Sequence, residues 1–106
     1  MITEDYCYQE VVKLLKEKGF PFGYNKWVDE DAPILISQPI VCKWLREVHK
    51  LFVDISFVKD EDRVFWYYAI FELSNDNAAH YNNVDEFATY EEAVEAAIKF
   101  SLENLI

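Results

Sequence analysis

The sequence predicts an α+β domain of two layers, in which three helices lie on one face of a small antiparallel sheet built around a central β-hairpin. Three observations lead there. Two runs rich in β-branched and aromatic residues, Leu51 to Val58 and Val64 to Leu73, flank the charged break Lys59-Asp60-Glu61-Asp62-Arg63, which is the pattern of a hairpin. Three other stretches repeat apolar residues at helical spacing. The elements follow one another as helix, irregular or strand, helix, strand, strand, helix, and burying every apolar stripe together gives two layers.

The hairpin is the centre of this reading. Its break holds neither Asn-Gly nor Asp-Gly, so the expectation is a four-residue loop, Lys59 to Asp62, that pairs Val58 with Arg63. Ile55 then faces Trp66, Val53 faces Tyr68, Asp54 lies opposite Tyr67 and Ser56 opposite Phe65. One face is apolar throughout (Val53, Ile55, Phe57, Val64, Trp66, Tyr68, Ile70) and calls for a cover. The other carries Phe52, Phe65, Tyr67, Ala69 and Phe71 with Asp54 and Ser56, where a solvated antiparallel face would alternate to polar side chains.

The first helix is expected from about Asp5 to Lys18, with Cys7, Val11, Leu14 and Leu15 on its apolar face and Thr3 or Asp5 as cap. Gly19 suits the position just past its end, and Pro21 forbids continuation. Between Phe20 and Ser37 the pattern is irregular. Tyr24 to Val28 and Ile34 to Ile36 are strand-like, and either can add a third strand or cover the hairpin's second face. Ser37-Gln38-Pro39 opens the second helix, with Pro39 in the first turn. Its stripe is Ile40, Val41, Trp44, Leu45 and Val48, and it should fold back on the apolar sheet face, burying Trp44 and Trp66 between helix and sheet. Ser74 to Glu86 reads as a loop, long enough in a small domain to be functional or mobile. The last helix opens with the capping box Thr89-Tyr90-Glu91-Glu92. Tyr90, Val94, Ala97, Ile98, Ser101 and Leu105 form its apolar face, and Glu91, Glu92, Glu95, Lys99 and Glu103 its polar side.

The 106 residues make one domain, 1–106. Hydrophobic residues are 52% and aromatics 17%, too rich for a disordered chain. Twenty acidic residues against ten basic ones leave a net charge of −10, which phosphate backbones and anionic membranes repel, so neither nucleic acid nor membrane is an expected partner. No apolar run reaches a membrane span, and the acidic opening Met1-Ile2-Thr3-Glu4-Asp5 lacks the basic region of a secretory leader. The expected setting is cytoplasmic.

A resemblance can be placed on three segments: Lys13-Leu14-Leu15-Lys16-Glu17-Lys18-Gly19-Phe20, Lys43-Trp44-Leu45-Arg46-Glu47-Val48-His49, and Thr89-Tyr90-Glu91-Glu92-Ala93-Val94-Glu95-Ala96-Ala97-Ile98. In this order they resemble small uncharacterised proteins encoded by phages, prophages and other mobile elements of gut bacteria. The similarity spans most of the chain. That group has no assigned activity, so the resemblance implies a mobile-element origin and a cytoplasmic setting and transfers no functional residue.

Chemistry-bearing constellations are sparse. Cys7 and Cys42 lie at or beside apolar stripes with no His or basic group at an activating spacing, and read as small core hydrophobes. With only Gly19 and Gly23, no glycine-rich phosphate loop can form. Asp29-Glu30-Asp31 and Asp60-Glu61-Asp62 lack the ligand alternation of a calcium loop. His49 and His80 have no partner at zinc spacing, and His49 suits the end of the second helix as a partial positive charge. No metal, cofactor or catalytic residue is therefore expected.

Two function classes follow. The first is a protein-binding accessory factor without catalytic activity, docking on another protein or on itself through Phe52, Asp54, Phe65, Tyr67 and Phe71, with nucleic-acid mimicry as a narrower variant. The second is a small-ligand binder or enzyme with a pocket beneath residues 74–86, using Asp76, His80 or Asp85.

Overall fold

A computed structural model describes residues 6–22, 35–74, 80–82 and 85–106. Its order is α1 (Gln9–Glu17), α2 (Gln38–Val48), β1 (Leu51–Asp60), β2 (Arg63–Glu72), β3 (His80–Asn82) and α3 (Tyr90–Asn104). The expected α+β class and the hairpin are both present. The sheet is antiparallel, in the order β1-β2-β3, and α2 and α3 pack against it while α1 packs on α3.

The apolar face of the hairpin meets the helices. Leu51, Tyr68 and Ile70 are buried in one cluster with Val11, Val12 and Leu15 of α1, Val41 and Leu45 of α2, and Val94, Ala97, Ile98 and Leu102 of α3. Val53 and Ile55, on the outer strand, are packed against the cluster but only partly buried. Burying these side chains is the main term holding the layers together, at about 1.5–3 kcal/mol for each large aliphatic or aromatic side chain.

The hairpin register is two residues away from the expected one. Asp60 pairs with Arg63, Phe57 with Trp66, Ile55 with Tyr68, Asp54 with Ala69 and Val53 with Ile70, and the turn is Glu61-Asp62 alone. Glu61 makes this possible by adopting φ = 35°, a strained value for a residue with a Cβ. The tighter turn adds two rungs, Lys59–Val64 and Asp60–Arg63. A shift of two preserves the face of every side chain, because strand side chains alternate with period two.

Other expectations are corrected by packing. Helix α1 starts at Gln9, not near Asp5, because Tyr8 is extended (φ −65°, ψ 153°). The residues before it run antiparallel to those before α2, through a Tyr6–Ser37 bridge and the Cys7 N–H donating to the Ile36 carbonyl at 2.9 Å. Thr3 and Asp5, the expected caps, lie outside the described residues. So does Tyr24 to Val28, and of the second strand-like piece only Leu35 and Ile36 are described, outside any strand. The third strand comes instead from the stretch read as a loop: His80–Asn82 pairs with β2, Tyr81 opposite Ile70.

Neither Trp44 nor Trp66 lies between α2 and the sheet. Trp44 is half-buried against Phe20 (5.1 Å between ring centroids) and His49 (4.5 Å). Trp66 is half-buried between Phe57 (5.6 Å) and Tyr90 (5.5 Å), at the start of α3. Of the apolar stripe of α2 only Val41 and Leu45 are buried, while Ile40 (53%) and Val48 (60%) are exposed. His49 ends α2, its N–H bonded to the Leu45 carbonyl at 3.1 Å. Burial lowers the pKa of its imidazole, which works against the positive charge expected there.

Candidate functional site

The five residues singled out for an interface fall together on the sheet face that the helices do not use. Phe52 lies opposite Phe71 with ring centroids 6.5 Å apart, Asp54 is opposite Ala69, Ser56 opposite Tyr67, and Val58 opposite Phe65. This second face thus carries an aromatic pair at the base of the hairpin and Tyr67 and Phe65 toward its tip, with Asp54 between. None of these side chains belongs to the core cluster or to the partly buried shell around it. Phe52 is exposed, Val58 is exposed, and Asp54, Phe65, Tyr67 and Phe71 are half-buried. The Arg63 guanidinium sits 4.4 Å over the Phe65 ring, a cation–π contact that covers one side of that ring with a charged, hydratable group.

The tip extends the apolar surface beyond the helices. Phe57 is 59% exposed although it lies on the helix-facing side, because the two strands run further than α3 covers. Together these residues form a surface with the aromatic enrichment that interface cores show.

A second constellation is one that sequence reading placed in solvent. Glu95, assigned by helical periodicity to the polar side of α3, is 5% exposed. Its Oε1 accepts the Tyr8 N–H, and its Oε2 accepts from Gln38 Nε2 at 2.9 Å. Gln38 also donates to the Glu91 carbonyl at 3.0 Å, and the Cys7 thiol bonds to the Glu95 carboxyl. One carboxylate therefore ties together the segment before α1, the first turn of α2 and the middle of α3. Burial raises its pKa, helped by the nearby Glu10 carboxylate and opposed by the bonds from Gln38, Tyr8 and Cys7. No sequence signal marks it, since Tyr8 offers only a backbone N–H.

The two thiols beside this carboxylate are unreactive. Burial first, then the Glu95 charge, pushes Cys7 up to about 12. Cys42 is pushed up to about 11 by burial, with Arg46 opposing. Both are free, and a thiol so far from its thiolate is neither nucleophile nor ligand at neutral pH. No group of three or more potential ligand side chains that could hold a metal ion occurs among the described residues.

Among the described residues, two open clefts flank the helices. One, of about 370 Å³, lies between α2 and residues 20–22 and is lined by Phe20, Phe22, Ile40, Trp44 and Val48 among others. The other, of about 330 Å³, lies beside Glu95 and includes Tyr8, Glu10, Phe87, Glu92 and Lys99. Neither contains Asp85, and Asp76 and the His80 side chain lie outside what is described. No family model matches this chain, and neither a curated protein nor a solved structure does.

Proposed function

We propose that this chain is a small acidic protein-binding module, an accessory factor of a mobile element without catalytic activity, whose contact surface is the second face of the hairpin. One observation supports this above the rest: Phe52, Phe65, Tyr67 and Phe71 line a sheet face outside the core cluster. Aromatic side chains kept at a surface reduce solubility unless they serve contact, and apolar patches of a few hundred Å² on soluble proteins usually mark interfaces. The inert thiols are in keeping with a module that binds and does not react. With a net charge of −10, the partner surface that fits has an apolar centre and a basic rim, which would speed association at low salt.

The test is a pair of variants, Phe65→Asp and Phe71→Asp. Each should keep the circular dichroism and cooperative melt of the parent while losing partner capture from lysate of the natural host. Variants that fail to fold would place this face in the core and end the proposal.

A further inference from the structure

The outer edge of β1 points to a second copy of this chain. Trp66 exchanges both backbone hydrogen bonds with Phe87, each 2.8 Å, so its polar groups point away from β1. Phe57, directly opposite, is therefore in a non-hydrogen-bonded pair, and its own N–H and C=O point outward. By alternation the same holds for Val53 and Ile55. None of these three outward groups has a backbone partner among the described residues. The edge runs ten residues with an unbroken register, no bulge and no proline, and so lacks two of the usual devices that block edge pairing, its charges being confined to Asp54 and to Lys59 and Asp60 at the tip. Its helix-facing side chains also lack cover: Val53 and Ile55 are half-buried, whereas Tyr68 and Ile70, their partners in the central strand, are buried.

We propose that two copies pair β1 against β1, antiparallel, with Ile55 opposite Ile55 of the second copy, so that the two sheets become one. The sequence of β1 selects this register among the symmetric ones. It sets Val58 against Phe52, Ser56 against Asp54, Phe57 against Val53, and Asp60 against Lys50 of the second copy. Lys50 abuts the ladder, since its carbonyl accepts from Leu73 N–H at 2.8 Å; its backbone turns to φ = 58° and its ammonium donates to the Glu47 carbonyl at 3.0 Å, an exposed bond that it exchanges to reach Asp60 of the second copy. A shift one way stacks Asp54 on Asp54, and a shift the other way sets Asp54 on Val58 and Asp60 on Phe52. The net charge of −10 on each copy opposes association. In this register, however, the acidic hairpin tips stand at opposite ends of the seam, Asp60 to Asp60 about 34 Å apart at ~3.4 Å per residue, well beyond the ~8 Å screening length at physiological salt.

Sedimentation from micromolar to millimolar concentration tests the pairing. The parent chain is expected to show a concentration-dependent dimer. Phe57→Pro removes an outward N–H without touching the β1–β2 ladder and should give a folded monomer. Lys50→Glu or Asp60→Lys alone should weaken the dimer by about tenfold, and the double variant should restore it, as two exposed pairs are exchanged. Within one chain these two residues lie at opposite ends of the strand, so rescue can only be intermolecular. A parent that is monomeric throughout, a dimer that survives Phe57→Pro, or a double variant without rescue would overturn the proposal. Loss of the dimer in Phe65→Asp with Phe57→Pro unaffected would also overturn it, by moving the contact to the sheet face.

Discussion

A carboxylate at 5% exposure must be held by donors or neutralised, and Glu95 is met by donors from two other segments. Removing it by Glu95→Ala leaves the Tyr8 N–H and one Gln38 bond unmet, so the expected loss is about 2–4 kcal/mol in chemical denaturation, from the roughly 1–3 kcal/mol cost of each unsatisfied buried group. A loss under 1 kcal/mol would mean that water reaches the site. The pH dependence has a definite sign. The folded pKa is raised above the ordinary 4.5 by burial, so the folded state holds this proton more tightly than the unfolded one. The stability that follows is fully present below 4.5 and is lost as pH rises through the folded value. Glu95→Gln cannot ionise, so the melting temperature of the parent relative to this variant should fall between pH 4.5 and neutrality. A flat difference would show that Glu95 is already ionised in the folded state throughout that range.

The elements differ in how their ends are made, and each end gives a measurable cost. Thr89 caps α3, its Oγ1 accepting the Glu92 N–H at 3.1 Å, so Thr89→Ala should cost about 1 kcal/mol. Gly19 follows the end of α1 at φ = 80° with nothing near its missing Cβ. Gly19→Ala therefore costs only the left-handed backbone term, about 1–2 kcal/mol. Both penalties are read by thermal melts, and a neutral Gly19→Ala would show that the backbone there relaxes. These two ends, the second half of α1, the body of α2 and the two-faced hairpin were legible because capping chemistry and periodicity are local. Glu61 was not: a strained non-glycine turn is adopted only because two extra rungs outweigh it, which no local rule reveals. The start of α1 and the burial of Glu95 were hidden for the same reason, since both depend on a contact between Tyr8 and Glu95, 87 residues apart. The candidate face was legible as a set, because a register error of two leaves face membership unchanged. Exposure was not, because Ile40 and Val48 show that an apolar stripe can be wider than the surface that covers it.

For the molecule as a whole, the core cluster and the Glu95 network hold the layers together with both cysteines free. The melting temperature should therefore not change with reductant, nor with a chelator, and a drop of many degrees with either would contradict this. Charge is the larger lever. Twenty acidic side chains oppose ten basic ones, and the ion pair between Lys99 and Glu10, at 3.5 Å, is between side chains 43% and 60% exposed. Such a pair contributes little, with a typical magnitude of 0–1 kcal/mol. If attraction between surface pairs dominated, salt would destabilise the fold. With an excess of ten negative charges on a small domain, repulsion dominates, and salt should stabilise it. At 0.01 M ionic strength the screening length is about 30 Å, so the carboxylates act on one another across most of the domain, while at 0.15 M it is about 8 Å and only neighbours interact. Raising sodium chloride between these limits at neutral pH should raise the melting temperature by a few degrees. The same titration near pH 4.5, where many of the carboxylates are protonated, should have a smaller effect. A melting temperature that falls with salt at neutral pH would show that attraction between paired surface charges, and not the net charge, governs the electrostatics of this fold.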